Sequence, residues 1–437
     1  MVLDFSITNF RSIRETQTIS FEADNSTHLE DYYIVRKDKY RILKVATILG
    51  ANASGKSNIL LAFKAMRDLI LKPCENKTDI IPTDTFALDP ECQSRNTAFV
   101  LNFLCGEQKY HYEVEFNSQT IGKEILTRQP FGEKKSHIVF ERTTDKDTKV
   151  ASLKMGSKYK AVTAVRGLGV NLLHNRTVFG AFQKSNVNLP WMSEILDWAS
   201  SYFMPNITTS NQNIMNYVSK LISDNVIGKE SVAQLLHTAD FGINDFLLER
   251  SEEQLQKGSI ELIVRNNGTT RISDNTYMAE GYKVNLIHHG AKIDLPFDYD
   301  QESHGTQRYY ELSGILLMLI KEPHFAAIDE LECRLHPDLY LHFIETFLNN
   351  ARESQIVFTT HMREFLEDKD FYRDDTVWFA EKSETGVTDL YSLTDFGTDI
   401  LRGSASRYNA YRHGRLGARP NLHAYYHSSL TTSNSDK

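Results

Sequence analysis

A short apolar strand, a glycine-rich loop and an amphipathic helix follow one another near the N-terminus, and this order constrains the fold more than any other feature of the chain. Residues 45–49 form a mostly apolar run that ends at Gly50, which is typical of a buried strand in a parallel sheet. From Ile59 to Ile70, apolar residues recur with the period of a helix. A strand, a tight loop and a helix in this order predict an α/β fold.

The loop between the strand and the helix has the spacing of a phosphate-binding loop. Residues 50–57 read G-A-N-A-S-G-K-S, which matches G-x-x-x-x-G-K-[ST]. In such a loop the glycines let backbone N–H groups close around phosphate, the lysine neutralises phosphate charge and the final hydroxyl reaches Mg²⁺. The alternative is an accidental glycine turn, against which the flanking strand and helix argue. The predicted nucleotide-binding residues of this segment are Gly50, Asn52, Ala53, Ser54, Gly55, Lys56, Ser57 and Asn58.

A second apolar strand ends in two carboxylates. Residues 324–328 read H-F-A-A-I and are followed by Asp329 and Glu330. In nucleotide sites, an aspartate in this position holds Mg²⁺ and a glutamate polarises the attacking water. Such a pair can also be an ordinary N-cap for the next helix, so the strand alone leaves both interpretations open.

A histidine after the next strand favours the catalytic interpretation. Residues 356–360 form this strand, His361 follows it, and one amphipathic helix separates it from the acidic strand. Parallel strands of a β–α–β unit end at the same edge of a sheet, so we expect Asp329, Glu330 and His361 at one edge, together with the phosphate loop. His361 then suits a sensor of the γ-phosphate, although a histidine after a strand is often a plain loop residue. The predicted catalytic residues are Lys56, Glu330 and His361.

A short polar segment, E-S-H-G-T-Q-R at 302–308, precedes a helix just upstream of the acidic strand. Ser303 can cap the start of that helix, and Gly305 permits close approach of a phosphate to the backbone. Taken alone, the segment is an ordinary helix cap. Its place directly before the acidic strand favours a function in the nucleotide site.

Composition excludes several classes of protein. The formal net charge of -8 argues against a chain that coats nucleic acid by bulk charge, so any such contact needs a local basic patch. The four cysteines have no paired spacing, which is typical of a reducing cytosol. The N-terminus lacks the pattern of a signal peptide, and the longest apolar run, 314–320, is too short to cross a bilayer. We therefore expect a cytoplasmic protein without membrane contact.

Together, the motifs resemble those of the RecF/SMC/OLD branch of ABC ATPases, and more narrowly the RloA and AriA type of ATPase in bacterial antiphage systems. The resemblance rests on N-F-R-S at 9–12, the phosphate loop, S-x-G-T-x-R at 303–308, and the strands that end in Asp-Glu and T-T-H. It implies an α/β ABC-type ATPase head with ATP and Mg²⁺ as cofactors. Ser57 and Asp329 would be the metal ligands.

The resemblance also implies partners. In that family the signature segment of one head caps the ATP of another, so Ser303, Gly305, Thr306 and Arg308 would act across a homodimer or a higher homo-oligomer. Arg11 would lie near the nucleotide. The segment after His361 is too short for a Toprim domain, so we expect a separate Toprim-like nuclease subunit and a phage protein as trigger. A RecF-like DNA-repair clamp and an ATP-bound scaffold with little turnover remain alternatives.

The middle of the chain resembles such proteins only in layout. Short alternating strands from about residue 97 to 150 predict an antiparallel β arm, and helical patterns follow up to about residue 248. Strands of the head at both ends of the chain imply that this middle part is an insertion. The predicted boundaries are 1–95 for the first part of the head, 96–160 for the β arm, 161–255 for a mainly helical insertion, 256–420 for the second part of the head and 421–437 for a flexible polar tail.

Five arginines near the C-terminus have no acidic residue between them, namely Arg402, Arg407, Arg412, Arg415 and Arg419. One interpretation is a basic segment packed on an acidic head. The other is a docking surface for nucleic acid or a partner, with Tyr408 and Tyr411 between the arginines. The sequence leaves both open.

Overall fold

A computed structural model describes residues 1–159, 162–208, 214–239, 241–255, 277–397 and 406–420. The predicted tail at 421–437 and Arg402 lie outside these residues. The chain divides into two compact units, and each is discontinuous in sequence. The phosphate-loop unit comprises Val2–Ser200 and Val357–Lys437, and the acidic-strand unit comprises Met1 and Ser201–Ile356.

Strands and helices alternate in an α/β arrangement. The described strands are β1 (Val2–Thr8), β2 (Gln17–Ser20), β3 (Ile34–Lys37), β4 (Tyr40–Leu43), β5 (Val45–Leu49), β6 (Thr97–Cys105), β7 (Gln108–Phe116), β8 (Ile121–Pro130), β9 (His137–Thr144), β10 (Ala151–Met155), β11 (Ile243–Leu255), β12 (Tyr277–His289), β13 (Asp294–Asp298), β14 (Phe325–Ile328), β15 (Gln355–Thr360), β16 (Val377–Lys382) and β17 (Thr388–Ser392). The described α-helices are α1 (Glu30–Tyr33), α2 (Lys56–Leu71), α3 (Pro90–Ser94), α4 (Val162–Asn171), α5 (Val178–Gln183), α6 (Pro190–Tyr202), α7 (Ile214–Ser223), α8 (Lys229–Thr238), α9 (His304–Lys321), α10 (Pro337–Asn350) and α11 (Arg407–Arg412).

The segment predicted as a separate β arm is part of a larger sheet. The seven strands lie in the order β10-β9-β8-β7-β6-β1-β2, and β6 pairs antiparallel with β1. Alternate residues of β7 are buried, because every second side chain of a strand faces the same side of the sheet. The N-terminal strands and the predicted arm therefore share one sheet and one compact unit.

A second sheet carries the phosphate loop. Its strands in the phosphate-loop unit lie in the order β15-β5-β16-β17, with β16 parallel to β5 and β17 antiparallel to β16. Every residue of β5 is buried, as the continuous apolar run predicted. The apolar side of α2 is buried as well, and the Phe63 ring lies 4.5 Å from that of Phe5. The predicted strand, loop and helix are confirmed, and so is the α/β class with mixed sheets.

In the acidic-strand unit, β14 lies beside the segment that follows α6. All four residues of β14 are buried, and isolated parallel bridges join Phe325 to Phe203 and Ile328 to Ile207. Helices α7 and α8 pack against α9. At Gly314 of α9 an added Cβ would lie 2.4 Å from Val218 of α7, so glycine allows the two helices to approach closely. Helices α4 to α8 lie in the segment predicted to be mainly helical, which ends with the strand β11.

Among the helices of the described residues, none combines the length and the apolar character that a membrane span requires.

Candidate nucleotide site

The loop after β5 requires glycine at Gly50 and at Gly55. Gly55 has a φ of 103°, in the left-handed region that favours glycine, and Ala53 in the same loop has a φ of 61°. A Cβ on Gly50 would lie 2.3 Å from the Ala380 carbonyl oxygen, and one on Gly55 would lie 2.0 Å from Thr388 Oγ1. No side chain caps the N-terminus of α2. The loop therefore places the first turn of α2 where its backbone N–H groups can bind an anion.

The Lys56 side chain is hydrogen-bonded to the first two residues of this loop. Its side chain is buried, and Nζ donates hydrogen bonds to the carbonyl oxygens of Gly50 at 2.8 Å and Ala51 at 2.9 Å. The same Nζ lies 3.4 Å from His361 Nε2, at the end of β15. A buried ammonium group needs such polar partners. The structure thus brings together the lysine of the phosphate loop and the histidine that the sequence placed at the same edge of the sheet.

A cleft of about 1000 Å³ opens at this point. Its lining residues come from the phosphate loop, the ends of β15 and β16, and the last described turn of the chain: Gly50, Ala51, Asn52, Ala53, Ser54, His361, Arg363, Glu364, Ala380, Glu381, Lys382, Tyr411, Ala418, Arg419 and Pro420. The cleft is as large as common small-molecule sites, and both positive side chains and loop amides lie along it. These features suit an anionic ligand.

The N-terminal turn, residues 9–12, contacts the first turn of α2 through Ser12. Asn9 is buried with a φ of 51°, and its Nδ2 donates to the carbonyl oxygens of Cys92 at 2.8 Å and Arg95 at 3.0 Å. Ser12 Oγ accepts a hydrogen bond from Asn58 Nδ2 at 2.7 Å. Sequence reasoning did not assign Ser12 to the site. Its place in the N-F-R-S motif was the signal that could have identified it.

Arg11 lies in a different environment from the one that the resemblance implied. It forms an ion pair with Asp84 at 2.9 Å. It also lines a second cavity, of about 390 Å³, that runs along α2 and whose lining does not include the phosphate loop. Arg11 is therefore absent from the lining of the phosphate-loop cleft, while its neighbour Ser12 contacts the first turn of α2.

The two acidic residues follow β14 in the acidic-strand unit. The backbone N–H of Asp329 donates to the Ile207 carbonyl at 2.8 Å, and that of Cys333 donates to the Glu330 carbonyl at 2.9 Å. Glu330 itself has a φ of 49°, which is uncommon for a residue with a side chain. The next helix, α10, has His336 as its N-cap. The acidic pair is therefore not the N-cap of that helix.

The segment 303–308 forms the start of α9. Ser303 is the N-cap, and its Oγ accepts the Thr306 N–H at 3.1 Å. A Cβ on Gly305 would lie 3.0 Å from the carbonyl oxygen of Arg334, in the turn after Glu330. Arg308 is buried, and among the described residues its Nε and Nη2 have no hydrogen-bond partner. The helix cap is real, and it lies beside the acidic turn within the same unit.

The C-terminal arginines have separate environments. Arg407 donates to Asp374 Oδ2 at 2.7 Å, as expected for a basic segment packed on acidic residues. Arg419 lines the phosphate-loop cleft. The Tyr411 ring of α11 stacks on Phe379 of β16, with ring centroids 5.7 Å apart and an angle of 18° between the planes. The segment from Arg407 to Arg419 thus packs on the phosphate-loop unit.

The sequence matches a family of AAA domains. The family is described as "AAA domain, putative AbiEii toxin, Type IV TA system", and the match spans residues 45–367. The chain belongs to this AAA-domain family. The matched region includes the phosphate loop, the acidic pair and His361. ATP binding and hydrolysis with Mg²⁺ are the chemistry that this family suggests for the AAA-domain chain.

Solved structures similar to the AAA-domain chain include three SMC heads, all at 13% identity. The SMC head bound to the C-winged helix domain of ScpA has a TM-score of 0.41, with 90% of this chain and 99% of that chain covered. The SMC head domain from Thermotoga maritima has a TM-score of 0.38, with 90% and 98% covered. The SMC head with an extended coiled coil, bound to the C-terminal domain of ScpA derived from Pyrococcus furiosus, has a TM-score of 0.37, with 92% and 98% covered. No curated protein matches the AAA-domain chain.

The residues of the phosphate loop fit a nucleotide–Mg²⁺ complex. Ser54 Oγ is buried and has no hydrogen-bond partner among the described residues, so it can donate to a ligand in the loop. Ser57 is exposed in the first turn of α2, where a hydroxyl oxygen suits Mg²⁺. Within the described ranges, no three His, Cys, Asp or Glu side chains are grouped to hold a metal ion. Mg²⁺ commonly binds through few protein ligands together with phosphate oxygens, which agrees with this donor set.

Proposed function

We propose that the chain binds ATP with Mg²⁺ in the phosphate-loop cleft and hydrolyses it. The observation that carries this proposal is the position of the Lys56 ammonium, which lies between the loop carbonyls of Gly50 and Ala51 and 3.4 Å from His361. A buried cation, a histidine next to it and uncapped helix N–H groups form a site for a phosphate chain. Membership of an AAA-domain family supports the same chemistry.

Each polar residue has a part in this proposal. Lys56 binds the phosphates, and Ser57 and Asp329 hold Mg²⁺, which supplies charge neutralisation when bound. Glu330 is the general base for the attacking water. Its left-handed backbone supports this assignment, since strained conformations of non-glycine residues cluster at active sites. His361 donates a hydrogen bond to the terminal phosphate. Because His361 directly follows β15, this hydrogen bond couples the terminal phosphate to that strand.

We further propose that two copies of the chain act together. In this arrangement Ser303, Gly305 and Thr306 of one copy bind the nucleotide held by the other. The N-terminus of α9 presents backbone N–H groups and a glycine, which suit contact with phosphate. Arg308 adds a buried guanidinium whose Nε and Nη2 lack partners among the described residues, and an incoming phosphate could satisfy them.

In the cell, the proposed role is that of a regulatory ATPase in bacterial antiphage defence, which controls a separate Toprim-like nuclease after a phage trigger. The motif resemblance to RloA and AriA supports this role. The family description, which names a type IV toxin–antitoxin system, is compatible with it. A nuclease gene beside the gene for this chain would favour defence, whereas replication genes would favour a RecF-like clamp.

The experiment compares ATP turnover and assembly in the wild type, Glu330→Gln and a control, Glu332→Gln, two residues along the same turn. Glu330→Gln removes the base, so we expect turnover to fall on the order of a hundredfold or more while ATP binding persists and the dimer accumulates. The control should retain turnover. Measurements are phosphate release with Mg²⁺ and molar mass by light scattering with and without ATP. Unchanged turnover in Glu330→Gln would assign the base to another residue, and a wild type that binds ATP without turnover would favour the scaffold.

A further inference from the structure

Part of the last described turn of the chain, residues 414–420, lines the phosphate-loop cleft. Ala418, Arg419 and Pro420 line the same cleft as Gly50 to Ser54. Phe379 of β16 connects the strand before the phosphate loop to α11, the helix that precedes this turn. Leu49, which precedes the loop, pairs with Phe379 in the neighbouring strand, and the ring of Tyr411 stacks on Phe379.

Two tyrosine hydroxyls fix the backbone of this turn. Tyr411 donates to the Ala418 carbonyl at 3.1 Å, and Tyr391 lies within 3.0 Å of the Leu416 carbonyl, to which it donates. Ala418 has a φ of 55°, in the left-handed region, and Tyr411 is buried. A non-glycine residue in this conformation persists only where its surroundings determine it.

Gly417 adds a second constraint. Its φ is 63°, and an added Cβ would lie 2.4 Å from the Tyr391 hydroxyl and 2.7 Å from Glu381 Oε2. The turn is therefore packed directly on β16 and β17, and a side chain at Gly417 would be strained and would displace these two side chains. Within this turn, the Arg419 guanidinium donates to the Arg412 carbonyl, which holds it near the cleft.

The charges of the cleft identify its ligand. Arg363, Lys382 and Arg419 are lining residues, and the guanidiniums of Arg363 and Arg419 both lie near enough to Tyr411 to lower its pKa, against the larger effect of burial, which raises it. Two carboxylates, Glu364 and Glu381, balance part of this charge. Glu364 interacts with Arg363, while Glu381 lies beside the Tyr391 hydroxyl.

We propose that Arg419 is a nucleotide-binding residue that contacts the terminal phosphate of ATP from within the same chain. The proposal rests on the nucleotide site described under Proposed function and adds a residue and a specificity to it. An arginine suits this place because its planar fork binds phosphate through two parallel hydrogen bonds. Arg363, which lines the same cleft, supplies further positive charge. The C-terminal turn would thereby distinguish a triphosphate from a diphosphate.

The test measures the affinity of the full chain for two probes, ADP and the non-hydrolysable ATP analogue AMP-PNP, each with Mg²⁺, by titration calorimetry. Arg419→Ala should weaken AMP-PNP binding by about tenfold or more, the usual effect of losing a charged hydrogen bond, and should change ADP binding by less than about twofold. Arg419→Lys should lie in between. The matched control is Arg415→Ala, an exposed arginine of the same turn that does not line the cleft, and it should bind both probes like the wild type.

Three outcomes would overturn this inference. An Arg419→Ala chain that binds AMP-PNP like the control would place the arginine away from the nucleotide. Equal losses for both probes would place it at the inner phosphates or the nucleoside. A loss of affinity for duplex DNA with unchanged AMP-PNP binding would assign the turn to nucleic acid. In all three cases the wild type still binds nucleotide, so the proposed function stands; a wild type that binds neither probe removes both proposals. Thermal unfolding without nucleotide checks that each variant is folded.

Discussion

Gly55 shows at the scale of one residue how the phosphate loop depends on glycine. Two effects oppose a side chain at this position. The backbone has a φ of 103°, and a Cβ would lie 2.0 Å from Thr388 Oγ1 and 2.8 Å from Ser12 Oγ. Both hydroxyls belong to groups that surround the loop, since Ser12 contacts Asn58 and Thr388 Oγ1 donates to the Ser54 carbonyl at 2.8 Å. A side chain here would displace the loop itself.

We therefore expect Gly55→Ala to lower the free energy of unfolding by about 1–3 kcal/mol and to weaken ATP binding strongly. The control is Gly132→Ala, because Gly132 has a φ of 76° with nothing within 4 Å of its added Cβ. Gly132→Ala introduces the conformational strain, which costs about 1 kcal/mol, but no clash. It should leave ATP binding intact. Urea unfolding and calorimetry measure both effects. If the two variants lost ATP affinity equally, the contacts around Gly55 would not shape the site.

The strand, the loop and the helix could be predicted from the sequence because they depend on local spacing. Gly50 and His361 line one cleft, and Lys56 Nζ lies 3.4 Å from His361 Nε2. Ser12 and Arg419 could not be assigned this way, because each reaches the loop only through long-range packing. Backbone strain such as the φ of 49° at Glu330 has no sequence signal at all.

At the scale of elements, two buried charged residues, Arg142 and Glu124, join the antiparallel sheet to the helices that follow it. Arg142 of β9 is buried and donates to the carbonyl oxygens of Leu173 at 3.1 Å and His174 at 3.0 Å, which lie between α4 and α5. Glu124 of β8 is also buried, and it accepts the N–H of Val178 at 2.9 Å. Burial raises the pKa of Glu124 to about 7, while the positive charge of Arg142 opposes this effect.

We expect Arg142→Leu to lower the free energy of unfolding by about 3–5 kcal/mol, because it leaves a buried carboxyl group without its cation. The loss should grow as pH rises. The folded pKa of Glu124 lies above its usual value of 4.5, so the folded state binds the proton more tightly, and removal of Arg142 raises that pKa further. The measurement is urea unfolding between pH 5 and 8. Arg128→Leu, at a partly exposed arginine of the same sheet, serves as control and should cost far less. A loss that did not depend on pH would contradict the coupling to Glu124.

The strands of this sheet were predicted from alternation, whereas their partners were not. Alternation reports which face of a strand is buried but contains no information about the neighbouring strand. The pairing of β1 with β6 joins residues about 95 positions apart, such as Phe5 with Leu101. For the same reason, alternation could not show that the predicted arm shares a sheet with the N-terminal strands.

At the scale of the whole molecule, the chain divides into two compact units, each discontinuous in sequence. The cuts fall at residues 200/201 and 356/357, whereas the sequence placed changes at 96, 161 and 256. Changes in composition mark where the pattern of secondary structure alters, and compact units depend on packing between distant segments. The class of fold was therefore predictable from the sequence, whereas the segment boundaries stay predictions.

The proposed dimer leads to a complementation experiment. A Gly305→Glu chain places a carboxylate where the partner's terminal phosphate would bind, and a Lys56→Ala chain lacks the phosphate-binding cation, so each should be inactive alone. Mixed, they can form a heterodimer with one intact composite site, which should restore up to roughly half of the wild-type hydrolysis per heterodimer if the two sites are independent. Phosphate release and ATP-dependent association are measured together. A mixture with neither rescued hydrolysis nor ATP-dependent association would reduce the segment 303–308 to a helix cap.

Direct titration of ATP with Mg²⁺ into the full chain tests whether the chain binds ATP through its phosphate loop. We compare the wild type with Lys56→Ala and with a control, Lys64→Ala, at an exposed lysine of the same helix that pairs with Asp68 at 3.0 Å. The wild type and the control should bind alike, and Lys56→Ala should lose about tenfold to a hundredfold in affinity because the phosphate charge loses its partner. ATP binding of equal strength in Lys56→Ala, or no binding in any of the three proteins, would contradict the account.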